Sequence, residues 1–342
     1  MKKSAVTISD IARALGVSEA TVSLALNDNT LVKKETREKV KLTAAELGYV
    51  PNLSARRLVK KKSGMIGVVV PDIENVYYAS LVKELSNRVA EIGCSLSIFI
   101  SSNDPKKEER AVSDMISSRV EGIIYVPINT PADLSGSHGL IERSGIPSVC
   151  ATTLIDGMSC VLCDLEDGMK RLMEQINNGA AKNIVCLGGP KGVYTLDCRQ
   201  KAFLESAESS GAKVKIIHLP EVDYKQAFEA ARGLLSDLPD VIVCVNDFMA
   251  LAVVNLLTGQ GIPIPGRVEV TGFDDSVFSI ASPVPLTTVR QDIPALAKAT
   301  VELLNKLIAS DTLPDREIIK LPASLIVRQS TKNQKLFNLM EE

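Results

Sequence analysis

The sequence has no tryptophan and only two histidines, His138 and His218, among its 342 residues. Neither histidine lies near a Gly-x-Ser-x-Gly nucleophile turn or a Walker-type glycine loop, which mark many hydrolases and nucleotide-hydrolysing enzymes. Residues 188–192 read Gly-Gly-Pro-Lys-Gly, which is rich in glycine but lacks the Gly-Lys-Ser/Thr ending of a phosphate loop. The sequence therefore argues against an enzyme.

Long apolar runs are missing as well. No stretch approaches the roughly 18 consecutive apolar residues that a membrane helix needs. The first four residues carry positive charge, but no apolar segment follows them, so they do not have the pattern of a secretory signal. We expect a cytoplasmic protein that has no membrane partner.

The cysteines give no sign of a disulfide framework. There are seven, which is an odd number, and four of them lie in or beside strand-like apolar runs, at positions 94, 150, 186 and 244. This placement predicts buried thiols in a reducing compartment. Cys160 and Cys163 have the spacing of a zinc pair, but no second pair of cysteines or histidines completes a site. We expect no metal and no cofactor.

Residues 6–27 have the pattern of a helix-turn-helix. Thr7 can cap a first helix, with Asp10 where a capping-box acid belongs, and Ser18 can cap a second helix after a turn at Gly16. An ordinary pair of surface helices is the alternative, but it does not explain hydroxyl residues at both helix starts. The pattern predicts that the inner faces consist of Ile11, Ala14 and Leu15 on the first helix and Val22, Ala25 and Leu26 on the second.

The outer face of the second helix is the candidate DNA-reading surface. It presents the residues that would meet the major groove of DNA, namely Glu19, Ala20, Ser23, Leu24 and Asn27. The charge distribution supports this interpretation. Residues 1–62 have thirteen lysines and arginines against six acids, whereas the rest of the chain has twenty-six against thirty-five. A basic head on an acidic body suits a module that docks on phosphates while its body stays in solvent.

A third helix and a linker complete the head. Residues 34–47 predict a helix that starts near Glu35 and ends before Gly48, with Val40, Thr43, Ala44 and Leu47 on its inner side. Pro51 then forces an extended entry and Asn52 can cap. Residues 53–58 could form about two helical turns, and a helix this short is marginal alone. Residues 60–64 predict a flexible basic linker.

From residue 64 onwards, continuous apolar runs alternate with amphipathic stretches. The runs predict buried strands at residues 65–70, 96–100, 122–126, 148–151, 183–187, 214–218, 240–245 and 268–272. The stretches predict helices at residues 79–92, 106–118, 164–177, 199–209, 224–235 and 247–259. Buried strands alternating with helices form parallel sheets covered on both faces. The two series of runs predict two doubly wound α/β subdomains behind an all-α head.

In open sheets of this kind, ligands bind beyond the carboxyl ends of the strands. We therefore expect binding side chains directly after the runs, at Asp72, Tyr77 and Tyr78, Asn129, Thr152 and Thr153, residues 189–199, Asn246 and Asp247, and residues 273–275.

Ordered motifs recur along the chain. The head contains Val6-Thr7, Asp10-Ile11-Ala12, Gly16-Val17-Ser18, Thr21-Val22-Ser23 and Leu26-Asn27, followed by Gly48-Tyr49-x-Pro51-Asn52 and Ala55-Arg56-x-Leu58. The body contains Ile66-Gly67-Val68, Pro71-Asp72, Asn246-Asp247-x-Met249-Ala250, Gly272-Phe273-Asp274-Asp275 and, over residues 285–292, Pro-Leu-Thr-Thr-Val-x-Gln-Asp. Over essentially its whole length, the chain resembles the lactose-repressor-type (LacI/GalR) transcriptional regulators.

The resemblance implies a domain organisation. It places a helix-turn-helix head at residues 1–50, a hinge helix and linker at 51–63, an effector-binding and dimerisation body at 64–330, and a tail at 331–342. Chain crossovers near residues 163, 290 and 322 would divide the body into one subdomain of about 64–162 plus 291–321 and another of about 163–290 plus 322–330. The body would resemble periplasmic binding proteins, but such a protein would need a secretory signal and no helix-turn-helix.

The resemblance also implies partners and a DNA-binding face. It implies a homodimer with two heads on one pseudo-palindromic operator of double-stranded DNA. The residues that match DNA-contacting positions are Thr7, Ser18, Glu19, Ala20, Thr21, Ser23, Leu24, Asn27, Thr36, Tyr49, Asn52, Ala55 and Leu58. The hydroxyls and amides among them suit phosphate contacts, and Leu58 matches the leucine that wedges into the minor groove. Many relatives carry an amide or arginine at positions 19, 20 and 24, so the operator cannot be copied from them.

A small-molecule effector is implied in the cleft between the subdomains. The matching residues are Tyr77, Tyr78, Thr152, Val193, Thr195, Arg199, Asn246, Phe248, Asp274 and Gln291. Asn246 and Asp274 could instead only cap the helices that follow them. The family favours a sugar or sugar-phosphate, although Thr152 stands where an acid is common and Ala202 where glycine is usual. Whether the effector induces or co-represses stays open.

Overall fold

The computed structural model describes residues 6–49, 63–129, 131, 134–177, 181–208, 211–310 and 315–332. The chain divides into two compact units, Met1–Ser63 and Gly64–Glu342. Within the described residues, none of the helices combines the length and the apolarity needed to cross a membrane.

The described part of the first unit contains three helices, α1 (Ile8–Leu15), α2 (Glu19–Leu26) and α3 (Lys34–Glu46). Their core consists of Ile11, Ala12, Val22, Ala25, Val32, Val40 and Ala44. Two predictions about this core were wrong, because Ala14 and Leu47 are exposed. Ala12, one position after Ile11, takes the inward position that the pattern assigned to Ala14.

The helix starts of the first unit are built as predicted. The Thr7 hydroxyl accepts from the Asp10 backbone N–H at 3.4 Å, and the Asp10 carboxylate accepts from the Thr7 N–H at 2.9 Å. Ser18 Oγ accepts from the Thr21 N–H at 3.1 Å. Gly16 has a φ of +65°, which other residues adopt at a cost, so it can close the turn between α1 and α2.

The second unit begins with a six-stranded sheet in the order β11-β5-β4-β3-β1-β2, in which every neighbouring pair is parallel. Its strands are β1 (Met65–Val70), β2 (Ser95–Ile100), β3 (Gly122–Tyr125), β4 (Ser148–Ala151), β5 (Ser159–Cys163) and β11 (Ile318–Leu321). Helices α4 (Val76–Glu91) and α12 (Ile293–Ala309) share one buried cluster with the sheet. Helices α5 (Pro105–Ser117) and α6 (Ser135–Ser144) share the other, so the sheet is covered on both faces.

A second parallel sheet has the order β7-β6-β8-β9. Its strands are β6 (Asn183–Gly188), β7 (Lys213–His218), β8 (Val241–Cys244) and β9 (Glu269–Thr271). Helix α7 (Leu165–Asn177) packs on α8 (Tyr194–Glu208), and α9 (Tyr224–Gly233) packs on α10 (Asp247–Gly259). Helix α11 (Val277–Ala281) and an antiparallel pair, β10 (Thr288–Gln291) with β12 (Ala323–Ile326), complete the unit.

The predicted fold class, a helical head with two parallel-sheet α/β subdomains, is confirmed. Several elements were not predicted, namely strands β5, β10, β11 and β12 and helices α6, α11 and α12. The expected buried strand at 96–100 is an edge strand, and its side chains are half-buried or exposed because it has a single neighbour. Helix α8 starts at Tyr194, earlier than the predicted start at residue 199.

Candidate effector cleft and DNA-reading face

A cleft in the second unit gathers the side chains that follow several parallel strands. It encloses about 440 Å³ of empty space, including the part that opens to solvent. The residues that line it are Asn75, Tyr77, Tyr78, Asn129, Thr152, Thr195, Leu196, Arg199, Val222, Asn246, Asp274 and Gln291.

A buried ion pair lies in this cleft. Arg199 Nη2 is 3.2 Å from Asp274 Oδ1, Nη1 donates to the Val245 carbonyl, and the guanidinium lies 4.0 Å from the Phe273 ring centre. Burial raises the pKa of the Asp274 carboxyl above its usual range, while the charge of Arg199 and a hydrogen bond from Gln291 oppose the rise. A buried carboxylate that is paired and hydrogen-bonded in this way can stay ionised.

The ion pair continues into a chain of hydrogen bonds. Gln291 Nε2 donates to Asp274 Oδ1 at 2.7 Å, and the Tyr77 hydroxyl donates to Gln291 Oε1 at 3.2 Å. Tyr77 and Tyr78 lie edge to face, with their ring centres 5.4 Å apart. Burial, the largest cause, raises the pKa of both phenols, so they are neutral donors at neutral pH.

The segment after β3 carries Asn129 to the cleft. Asn129 Oδ1 accepts from Thr195 Oγ1 at 2.9 Å, and the Asn129 N–H donates to Asn103 Oδ1 at 3.0 Å. The fully buried Glu108 holds the start of this segment, because its carboxylate accepts from the Tyr125 hydroxyl and the Ile128 N–H, both at 2.8 Å. Glu108 thereby positions the strand end that leads to Asn129.

The burial of Glu108 could have been predicted from the sequence. Residues 108, 111, 112 and 115 share one face of α5, and the other three are apolar and buried. An acid on an otherwise apolar stripe indicates a buried carboxylate that needs donors nearby.

Thr152 has a strained backbone at the wall of the cleft. Its φ is +75°, which is unusual for a β-branched residue, and the residue is buried. Its N–H donates to the Val161 carbonyl at 2.8 Å, which holds the turn after β4 in place. Strain of this kind tends to persist where surrounding contacts impose it and where a site uses the resulting geometry.

The two residues that could have been simple helix caps differ. Asn246 Oδ1 does accept from the Met249 N–H at 2.8 Å, so it caps α10 and also lines the cleft. Asp274 caps no helix, because its carboxylate bonds to Arg199 and Gln291 and Ser276 occupies the N-cap position of α11.

Two of the predicted effector residues lie apart from the cleft lining. Val193 is buried in the core around the second sheet, and Phe248 stacks on Phe278 with ring centres 4.9 Å apart. The lining adds Asn75 and Val222, which lie outside all the expected positions, whereas Leu196 and Asn129 fall within the segments expected after the apolar runs.

Beside the cleft, Asp247 is a buried carboxyl at the start of α10. Its Oδ1 accepts from the Thr288 hydroxyl and its Oδ2 from the Ser276 N–H, both at 2.6 Å. Burial, with a smaller contribution from the charge of Asp274, raises the pKa of Asp247 to about 7. A side chain at Gly272 would collide with this carboxyl, so glycine is required there.

The residues of the first unit that were predicted to contact DNA are partly exposed and partly half-buried. Thr7, Ser18, Glu19, Ala20 and Asn27 are exposed. The half-buried residues are Thr21, Ser23, Leu24, Thr36 and Tyr49, of which Leu24 and Tyr49 pack against the core. The remaining predicted DNA contacts, Asn52, Ala55 and Leu58, lie outside the described residues.

Comparison with known proteins identifies both parts of the chain. Residues 7–52 match the family model "Bacterial regulatory proteins, lacI family", and residues 174–331 match "Periplasmic binding protein-like domain". The chain is 30% identical to catabolite control protein A of Priestia megaterium over 334 residues, which cover 96% of this chain and 99% of that protein. It is 31% identical to the ribose operon repressor of Bacillus subtilis (strain 168) over 330 residues, which cover 96% of this chain and 99% of that protein.

Solved structures agree with these relatives. The crystal structure of the lac repressor dimer bound to operator and the anti-inducer ONPF superposes with a TM-score of 0.86 at 25% identity, over 96% of this chain and all of that one. The regulator CelR in complex with cellobiose has the same fold, with a TM-score of 0.71 at 23% identity over 95% of this chain and 99% of that one. The chain belongs to the lacI family of bacterial regulatory proteins, and it is a DNA-binding transcriptional regulator rather than an enzyme.

Proposed function

We propose that this regulator is a repressor, and that its affinity for operator DNA is controlled by a sugar or sugar-phosphate bound in the cleft. The buried chain from Tyr77 through Gln291 and Asp274 to Arg199 is the observation that supports an effector site most directly. Tyr77 lies on α4, which packs on the first sheet, and Arg199 lies on α8, which packs on the second. A ligand here can therefore favour one arrangement of the sheets over another.

The proposed DNA contacts within the described residues are Thr7, Ser18, Glu19, Ala20, Thr21, Ser23, Leu24, Asn27, Thr36 and Tyr49. Glu19 and Ala20 stand at the amino-terminal end of a helix whose inner face is buried against α1 and α3. Recognition helices of helix-turn-helix proteins read base edges from this end. The hinge residues Asn52, Ala55 and Leu58 stay predictions that rest on the resemblance.

Two named relatives support the nature of the partners. The lac repressor structure is a dimer on its operator, and CelR is in complex with cellobiose. By analogy we propose a homodimer on a pseudo-palindromic site, a carbohydrate effector and a cytoplasmic location. The domain boundaries at residues 50, 63 and 330 and the two discontinuous subdomains belong to the same proposal.

The proposed dimer surface includes α11. Val277 and Ile280 are three residues apart on this helix, so they share a face, and they are 61% and 65% exposed. Asp275 holds the helix in place, because its carboxylate accepts from Arg328 Nη2 at 2.6 Å and from Ser279 Oγ at 3.1 Å. An anchored pair of exposed apolar side chains suits contact with a second copy of the chain.

The test is a selection of bound fragments from random duplex DNA with the purified full-length protein, followed by sequencing. We expect a pseudo-palindromic consensus. The affinity for it should fall steeply as salt rises, because lysine and arginine side chains of the protein displace counterions from the DNA phosphates. Fragments without symmetry, or an affinity that does not change with salt, would contradict the proposed mode of DNA binding. Reporter expression from a promoter that carries the consensus then separates repression from activation.

A further inference from the structure

Charged side chains are scarce in the effector cleft. Among the described residues that line it, Arg199 is the one cation and Asp274 the one carboxylate. Both terminal nitrogens of the guanidinium are already bonded to the protein, Nη2 to Asp274 and Nη1 to the Val245 carbonyl, and the group covers the Phe273 ring. Its buried Nε is the one guanidinium nitrogen without a partner among the described residues. The pair carries no net charge, so no cation is left over to neutralise an anionic ligand.

Around Tyr78, beside the pair, the effect of negative charges exceeds that of the positive charge. Burial raises the pKa of the Tyr78 phenol, and the charges of Asp274 and Asp72 raise it further, whereas Arg199 is the group that lowers it. A phosphate placed beside Tyr78 would meet the same carboxylates. Moving an anion out of water without a paired cation is unfavourable, and nearby carboxylates add repulsion.

The hydrogen-bonding groups that line the cleft suit hydroxyls. Asn75 Oδ1 accepts from the Tyr77 N–H at 3.0 Å and Asn246 Oδ1 from the Met249 N–H at 2.8 Å. Because a backbone N–H can only donate, the oxygens of both side chains are fixed, and each amide has its NH₂ group left to donate to a ligand. Asp274 Oδ1 accepts from Arg199 and Gln291, which leaves Oδ2 as an acceptor.

A hydroxyl group satisfies both kinds of partner, because it accepts from an amide and donates to a carboxylate. A phosphate at neutral pH is ionised and carries at most one proton, so its negative oxygens would face the Asp274 carboxylate with little to donate to it. The remaining walls, from the tyrosine rings, Leu196 and Val222, are apolar and suit the C–H face of a ring. We infer that the effector is an uncharged, polyhydroxylated molecule rather than its phosphate ester or another anion; the inference rests on the proposed function of the cleft.

The experiment measures thermal unfolding of the full-length protein with matched pairs of compounds at equal ionic strength. The probes are D-glucose with glucose 6-phosphate, D-ribose with ribose 5-phosphate, and inorganic phosphate alone. Ligands that bind the folded state raise the unfolding temperature. We expect that no phosphate-bearing probe raises it above the salt control, and that any sugar that binds does so at least about tenfold more tightly than its ester.

Asp274→Asn provides the matched variant. It removes the carboxylate and keeps Arg199, so inorganic phosphate should now raise the unfolding temperature, and Arg199→Ala in the same background should abolish that rise. Asp274→Ser serves the same purpose if Asp274→Asn does not fold.

Two results overturn the inference. The first is that phosphate or a phosphate ester raises the unfolding temperature of the wild type and that Arg199→Ala removes this increase. The second is that a folded Asp274 variant shows no increase in unfolding temperature with phosphate. DNA binding of the same preparations is measured separately. Loss of sequence-specific DNA binding contradicts the proposed function, whereas a phosphorylated ligand contradicts only the inference about charge.

Discussion

Arg199 and Asp274 form an ion pair of 3.2 Å between Nη2 and Oδ1, and their side chains are only 8% and 13% exposed. The pair connects helix α8 to the turn after β9. Among the ion pairs of the described residues, only Arg328–Asp275 is shielded from water to a similar degree, and a charge-assisted hydrogen bond gains strength in such surroundings. Either residue therefore has a large influence on any ligand that enters the cleft.

We predict that Arg199→Ala and Asp274→Ala keep operator binding and lose the response to the effector. Loss of a hydrogen bond to a buried charged group costs on the order of 2–3 kcal/mol, or about a hundredfold in ligand affinity. The measurement is operator affinity with and without a compound that shifts it in the wild type. Leu204→Ala, on the exposed face of the same helix, is the control. If both cleft variants respond at the wild-type concentration, the site is wrongly placed.

Asp247 makes stability depend on pH. Its pKa in the folded protein is raised to about 7 from an ordinary 3.8. The folded state therefore binds this proton more tightly than the unfolded state, so the group's contribution is most favourable at low pH and is lost as pH rises from about 4 to 7. Asp247→Asn removes the ionisation while an amide can still accept from Ser276. We predict that the variant gains stability relative to wild type across this window, by up to a few kcal/mol.

Chemical unfolding at a series of pH values measures this effect. The exposed acid Asp237 provides the control, since Asp237→Asn changes the same charge at the surface. Parallel stability curves for wild type and Asp247→Asn would show that the carboxyl does not titrate in this window.

The proposed dimer surface predicts the effect of a charge on α11. Ile280→Lys places an ammonium group where an apolar contact is expected, and burial of an unpaired charge is unfavourable. We predict a shift from dimer to monomer and a loss of operator affinity. Sedimentation at micromolar concentration measures the shift. Ile318→Lys on β11 is the control, because Ile318 is exposed to a similar degree and lies outside the proposed surface, so this variant should stay dimeric. If Ile280→Lys also stays dimeric, α11 is not part of the interface.

The position of the cleft was easier to predict than the strands that frame it. Asn129 and Thr152 each follow an apolar run of the first sheet, and the carboxyl ends of parallel strands meet at one edge, so the proximity of these two could be read from the sequence. Asn246 follows β8 of the second sheet, and that it lines the same cleft was implied only by the resemblance. Asn75 was missed because the helix after it was expected to start at residue 79, whereas α4 starts at Val76 and Asn75 caps it.

The missed strands depend on partners that lie far away in the sequence. β11 pairs with β5, for example Ile318 with Cys160, and β12 pairs with β10. Four-residue segments carry too little periodicity to predict a strand, because neighbouring strands and burial determine their conformation. The left-handed backbone of Thr152 is likewise imposed by its surroundings, since threonine has no local preference for it.

Leu58 lies outside the described residues, and its prediction rests on the resemblance alone. A leucine that wedges into the minor groove opens it at the cost of unstacking one base step. We predict that Leu58→Ala weakens binding to the selected operator while leaving salt-dependent binding to unrelated DNA almost unchanged. An equal loss on both kinds of DNA would indicate a general phosphate-contacting or structural role instead. The unstacking is least costly at a flexible pyrimidine–purine step, so we also expect such a step at the operator centre.

Glu19 is exposed at the first position of α2, and two roles are open to it. As a base-reading residue it would accept a hydrogen bond from cytosine N4, while the apolar Ala20 and Leu24 would contact thymine methyl groups. As an acid in the first turn it would only stabilise the helix, through a favourable interaction with the positive end of the helix dipole. We predict the first role. Glu19→Gln should then change the preferred base at one position of each half-site, by roughly 1–3 kcal/mol.

Selection from random duplex DNA distinguishes the two roles of Glu19. Glu35→Gln is the matched control, because it removes the same charge from the first turn of α3. A gain in affinity for all DNA would follow from removing either negative charge, since both lie in the basic head near phosphates. A changed half-site consensus would follow only from Glu19→Gln. If wild type, Glu19→Gln and Glu35→Gln all enrich the same half-site, Glu19 contacts no base and its role is limited to stabilising α2.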